Sequence, residues 1–262
     1  MPDNATEPET APRTSNGRAQ RAWMVAAAVV AAAVVIVVVI LVTGSGSGAG
    51  VSHVPTTKRQ AQSVASQVAL LLAGIPQSGT RLGSARAPVT MTYYGDLECP
   101  YCAAFTVQGG FSQLVAADVR TGRVKVVYRS LCTATCNDSG SGLFVTQQVA
   151  AYAAGEQHRF WQYAELFYRE QGQEGSGYVT QSYLTGLARQ VPGLKLARWR
   201  VYLKDPVLVS QLQADAADGA RDKARSTPTL VISGPRGREQ VPTPSDGIAT
   251  YHELQQTIRE VS

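Results

Sequence analysis

The spacing of apolar positions changes along the chain, and each change marks an element. Residues 58–73 carry Ala61, Val64, Ala65, Val68, Leu71 and Leu72 at helical spacing, with Gly74 and Pro76 as stop signals. Residues 77–88 read as loop, with one short edge strand near 80–82. Residues 88–94 mix apolar and β-branched residues in the manner of a strand, and Gly95-Asp96 closes it. A helix is expected from Ala103 to Ala117, burying Phe105, Phe111, Leu114 and Val115, with Gly109-Gly110 weakening or kinking it. Residues 123–128 alternate as a second strand. Strand, helix, strand argues for parallel pairing through a crossover helix. No convincing strand follows between 143 and 215. Helices are expected over 143–154, 158–169 and 180–190, with one or two more around 197–218. Residues 229–233 form a strand, Gly234-Pro235-Arg236-Gly237 a turn, and 239–241 a short partner strand. Tyr251, Leu254, Ile258 and Val261 lie on one face of a final helix. There is no internal repeat.

The first part of the chain has a different composition. Residues 1–22 are polar and are expected to be a disordered cytoplasmic tail. Residues 23–43 are apolar without interruption up to Thr43, about the ~20 residues that a transmembrane helix needs. A buried core helix or a cleaved signal peptide are the rivals, and the length of the run favours an uncleaved anchor over the latter. Arg13, Arg18 and Arg21 precede the run, and no cation follows it before Lys58 apart from His53. The positive-inside rule then places the N-terminus in the cytoplasm and the rest of the chain outside the cell membrane. Residues 44–57 begin with a Gly/Ser run and read as a flexible linker. Residues 58–262 remain for the folded domain. The whole chain has 262 residues, 44% of them hydrophobic, and a formal net charge of +5. That charge is scattered, with no basic stripe and interleaved aromatics, so nucleic acid is not an expected partner.

The chemistry lies between the first core strand and the helix after it, in Glu98-Cys99-Pro100-Tyr101-Cys102. A thiolate at Cys99 would meet the free N–H groups and positive dipole end of the helix. Cys102, one turn further, is close enough to close a small disulfide ring. The oxidising side of a membrane is where such chemistry is expected.

The segment from Val89 to Cys102 resembles the active-site segment of DsbA-like thiol:disulfide oxidoreductases of the thioredoxin superfamily. Ser226-Thr227-Pro228-Thr229, followed by Leu230-Val231-Ile232, resembles the loop that carries a cis-proline before a strand in such proteins. The resemblance runs from about Ile75 to Val261. It implies an α/β thioredoxin-like fold. The long interval between Cys102 and Pro228, with Phe160-Trp161-x-Tyr163, resembles the family's helical insertion, here about 140–220. The resemblance further implies an exposed Cys99 that forms the mixed disulfide and Cys102 as its resolving partner. It also implies that Thr227 and a cis Pro228 hold substrate as an extended strand, and that Pro100 and Tyr101 tune the potential. A membrane-embedded partner would re-oxidise the protein. The expected activity is the introduction of disulfides into reduced exported proteins. Cys-Pro-Tyr-Cys also occurs in glutaredoxins, so an isomerase or reductase stays open.

Several residues have two readings. Asp96 and Glu98 are solvated turn acids, or one relays the proton of Cys102. Cys132 and Cys136 form a structural disulfide or a second redox pair. The four cysteines could instead hold zinc, but that needs four reduced thiolates outside the cytoplasm. A redox-inert peptide-binding adaptor is the other alternative class. His53, His158 and His252 read as surface positions. No cofactor or metal is called for.

Overall fold

β3, Val89–Gly95, lies in the interior of the sheet, and five of its seven residues are buried. The structure, a computed structural model, describes residues 56–133, 135–136 and 140–262. The tail, the expected anchor at 23–43 and nearly all of the linker lie outside the described residues, as does His53. Among the described residues no helix is long and apolar enough to cross a membrane.

The chain begins with α1, Thr56–Leu72, and two short strands, β1, Gln77–Ser78, and β2, Arg81–Leu82. After β3 come α2, Pro100–Val107, and α3, Phe111–Leu114, which continues into a π-helical turn, Val115–Val119. β4, Val124–Ser130, follows. The insertion holds α4, Gly140–Gly155; α5, Phe160–Arg169; α6, Gln181–Gln190; α7, Leu196–Tyr202; and α8, Pro206–Arg221. β5, Thr229–Gly234, β6, Gly237–Gln240, and α9, Tyr251–Val261, complete it. The strand order is β1-β2-β4-β3-β5-β6. β3 and β4 pair in parallel from Val89↔Val124 to Gly95↔Ser130, as a crossover connection requires. β3 and β5 are antiparallel, with Tyr94 opposite Thr229, so the residue after Pro228 lies beside the end of the central strand.

Period-two alternation sends Tyr93 and Tyr94 to opposite faces. Tyr93 joins Phe105, Phe111, Tyr128 and Trp161 in one aromatic cluster. Tyr94 packs with Val231, Ala224 and Leu131, and its hydroxyl donates to Asp222 at 2.5 Å. α5 is buried over most of its surface, which fits a helix enclosed within the molecule. Trp161 anchors it: the ring stacks on Phe111 at 5.1 Å and Nε1 donates to the Thr80 carbonyl at 2.9 Å.

The single helix expected over 103–117 is two, and its first segment starts earlier, at Pro100. Only glycine fits at the break. A Cβ on Gly109 would sit 2.8 Å from the Phe105 carbonyl oxygen, and one on Gly110 would overlap Thr250 and Tyr251. The glycine pair lets the start of α9 pack closely, and the Gly110 amide donates to the Ala249 carbonyl at 2.9 Å.

Candidate active site

Cys99 is the N-cap of α2, in an extended conformation, and Pro100 opens the helix. Proline suits that place because its missing N–H has no partner there in any helix. The Cys99 amide donates to the Asp96 carbonyl at 3.2 Å, and Gln171 Nε2 donates to the carbonyls of Leu97 at 2.7 Å and Cys99 at 3.2 Å. These bonds fix the strand-to-helix turn. Both cysteines are free thiols.

The two sulfurs lie in different surroundings. Cys99 keeps 4% of its surface exposed and Cys102 none. Cys99 is therefore more enclosed than the family resemblance implied, because the Pro228 loop covers it: its Sγ donates to the Thr227 carbonyl at 3.2 Å. The hydrogen bond from Cys102 lowers the Cys99 pKa to about 7, against the effect of burial. Thr227 and the backbone amides of Cys102 and Tyr101 contribute to the same lowering, and the value of about 7 is what all of these leave together. Cys102 is pushed up, first by burial and then by Cys99. One sulfur is thus readily ionised, while its partner resists charge.

The Thr227–Pro228 bond is cis. Thr227 is itself held in place, with its hydroxyl 2.6 Å from that of Thr133. Thr133 belongs to the loop closed by a Cys132–Cys136 disulfide. That bond removes two of the four thiolates that a zinc site would use. Tyr101 is half exposed, and its ring lies against Gly247. Pro100 faces solvent.

Asp96 and Glu98 are not solvated. Both are buried, because the loops after β4 and α5 close over the turn that bears them. The Asp96 carboxylate accepts from the amides of Glu98 at 3.1 Å, Thr133 at 3.2 Å and Thr135 at 3.2 Å. It also accepts from the Thr135 hydroxyl at 2.6 Å and Gln147 Nε2 at 3.3 Å. It thereby ties the active-site turn to the disulfide loop. Glu98 Oε1 accepts from the Gly175 amide at 3.2 Å. Sequence reasoning missed Thr133, Thr135, Gln147 and Gln171. The only signal for the first two was their place inside a Cys-x-x-x-Cys loop. Tyr93 was also missed as a site residue, although alternation from Met91 points it toward the helix of the motif. His158 and His252 are exposed.

The thioredoxin family model Thioredoxin_4 matches residues 77–258. The chain belongs to this thioredoxin family. Disulfide bond formation protein D of Bacillus subtilis (strain 168) is 25% identical over 190 residues, covering 68% of this chain and 75% of that protein. Na(+)/H(+) antiporter NhaA 1 of Salinispora arenicola is 28% identical over 156 residues, or 59% of this chain. The aligned region spans only 21% of the antiporter's length. The solved structure of oxidised BdbD from Bacillus subtilis superposes with a TM-score of 0.58 at 21% identity, covering 71% of this chain and 95% of that one. Pseudomonas aeruginosa DsbA2 gives 0.53 at 25% identity, covering 71% and 94%. The thioredoxin-family domain described here is thus of the DsbA-like thiol-disulfide oxidoreductase type, with its helical insertion between β4 and β5.

Proposed function

We propose that this chain introduces disulfide bonds into exported proteins by thiol-disulfide exchange at Cys99 and Cys102. The observation that carries the reading is the asymmetry of the pair. Cys99, at a helix start beneath the Thr227 carbonyl, ionises near pH 7, whereas buried Cys102 does not. A substrate thiolate attacks Cys99 Sγ of the oxidised protein, the Cys99–Cys102 bond breaks, and Cys102 leaves as a thiolate. A second substrate thiolate then attacks the substrate sulfur of the mixed disulfide and releases Cys99 as a thiolate. The substrate loses two electrons and the protein gains them. A low Cys99 pKa stabilises the reduced protein and makes Cys99 a good leaving group, which favours oxidation of substrate.

Thr227 and Pro228 present an edge on which a substrate segment adds as an extended strand. The apolar run at 23–43 anchors the chain with its N-terminus in the cytoplasm and residues 58–262 outside the cell membrane. A membrane-embedded partner re-oxidises it. The name of the Bacillus subtilis relative, a disulfide bond formation protein, supports the direction.

The test is oxidative refolding of a reduced model substrate by stoichiometric oxidised protein. Substrate disulfides should form at the rate at which Cys99–Cys102 is reduced, and Cys99→Ser should abolish the reaction. Slow oxidation with rapid repair of scrambled disulfides would point to an isomerase instead.

A further inference from the structure

When the active-site disulfide opens, an electron pair is left on the sulfur of Cys102, which has no exposed surface. Charge in such a place needs a hydrogen-bond donor. The Asp96 carboxylate is engaged with the Thr133–Thr135 loop and Gln147, and Asp96 acts on Cys102 through its backbone. The side-chain hydroxyl at the inner side of the motif is that of Tyr93. It lies 3.3 Å from the Cys102 carbonyl oxygen and 3.3 Å from Thr106 Oγ1. Its ring is held edge-on by Phe105 and Tyr128, each with centroids 5.4 Å away. The oxygen is therefore fixed, and the hydroxyl hydrogen is the part that can turn. Behind it the Tyr168 hydroxyl lies 3.5 Å from both the Tyr128 hydroxyl and the Asp96 carbonyl, and its one hydrogen can go to either.

We infer that the Tyr93 hydroxyl is the side-chain donor that, beside the Asp96 backbone, stabilises the Cys102 sulfur as a thiolate during disulfide exchange. This rests on the oxidoreductase reading above. In the opening step the substrate thiolate bonds to Cys99, the Cys99–Cys102 bond breaks, and the negative charge passes to Cys102. No proton is transferred. The Tyr93 hydrogen turns from the Cys102 carbonyl toward the sulfur as that charge appears, while the Thr106 hydroxyl donates to the Tyr93 oxygen. In the reverse direction the same bond lets Cys102 exist as the attacking thiolate. The titratable groups facing Cys102 are Cys99, Tyr93, Tyr128 and Tyr168. Among them Tyr93 favours the ionised form of Cys102, against burial and Cys99.

The test uses the full-length oxidised chain reduced by dithiothreitol, with the rate followed across pH. The Cys102 titration midpoint is read by thiolate absorbance in a Cys99→Ser background. Tyr93→Phe keeps the ring and removes the hydroxyl. It should slow opening roughly tenfold, the effect of losing one hydrogen bond to a charged group. It should also raise the Cys102 midpoint while leaving that of Cys99 in the intact pair in place. A ring-fluorinated tyrosine at position 93, a stronger donor, should shift rate and Cys102 midpoint the opposite way, and decides the matter alone if Tyr93→Phe fails to fold. A Tyr93→Phe protein with the parent rate and midpoints overturns the inference, as does a fluorinated variant that moves in the same direction as phenylalanine. A parent disulfide that ignores dithiothreitol overturns the oxidoreductase reading as well.

Discussion

Cys99 and Cys102 are one helical turn apart, yet their thiols ionise in opposite senses, because one meets donors at a helix start and the other meets an aromatic core. This has a measurable consequence for the stability of the reduced protein. A thiol whose pKa falls from 9.0 to about 7 on folding contributes its full stabilisation above pH 9 and loses it as pH falls through 7. The size is about 2–3 kcal/mol. Denaturant unfolding of the reduced protein should therefore show rising stability from pH 7 to pH 9, and Cys99→Ser should flatten that slope. The oxidised protein, which lacks the thiol, should not show it. The cysteines were legible in the sequence because their type and spacing carry the chemistry, and Thr227 and Pro228 were legible through the resemblance to a cis-proline loop. Asp96 was not. An acid after glycine reads as a solvated turn, and its burial depends on Thr133, Thr135 and Gln147, which reach it only in the folded chain.

At the scale of elements, two short segments determine how the site is held. The first is the glycine break between α2 and α3. The sequence predicted a weakened helix there, but not that the start of α9 would occupy the space. Gly110→Ala places a methyl group against the backbone of Thr250 and Tyr251, in a contact with no flexible side chain to yield. Thermal unfolding should show a loss of about 1–3 kcal/mol, the usual range for overpacking. An unchanged midpoint would mean that α9 can shift without cost. The second segment is the Cys132–Cys136 loop, whose Thr133 and Thr135 bond Thr227 and Asp96. Replacing both cysteines with alanine should cost about 2 kcal/mol, the chain-entropy value for so short a loop. It should also move the Cys99 midpoint up from about 7, because Thr227 loses the partner that steadies it. A midpoint that stays in place would make this disulfide a stabiliser with no hold on the site. Sequence alone left the pair open between a structural and a redox role. Its link to the active site depends on a long-range contact between Thr133 and Thr227 that no local pattern encodes.

At the scale of the whole molecule, the helical insertion completes the catalytic layer. α5 comes from the insertion, yet Trp161 stacks on Phe111, approaches Tyr93 at 6.4 Å and Tyr128 at 6.3 Å, and bonds the Thr80 carbonyl beside β2. The same cluster includes Phe105 on the helix that bears Cys102. The helical character of residues 158–169 was evident in the sequence, whereas near-complete burial was not, since Gln162, Glu165 and Arg169 line one face and read as solvated, yet Glu165 is buried and paired with Arg169. This arrangement predicts a single cooperative unit. Trp161→Ala should lower stability by about 3–5 kcal/mol, the cost of deleting a large buried aromatic. The insertion and the sheet should still unfold together, with far-ultraviolet and aromatic circular dichroism changing at one midpoint. The reactive pair should respond as well, because the cavity opens beside Tyr93 and Phe111, so the Cys99–Cys102 disulfide should be reduced more readily by small thiols. Separate transitions, with the helices melting first and the sheet retaining an unaltered disulfide, would show that the insertion is a lid laid over an independent domain. The shared aromatic core argues for the first outcome, because removing Trp161 unpacks residues from β3, β4 and α3 at the same time.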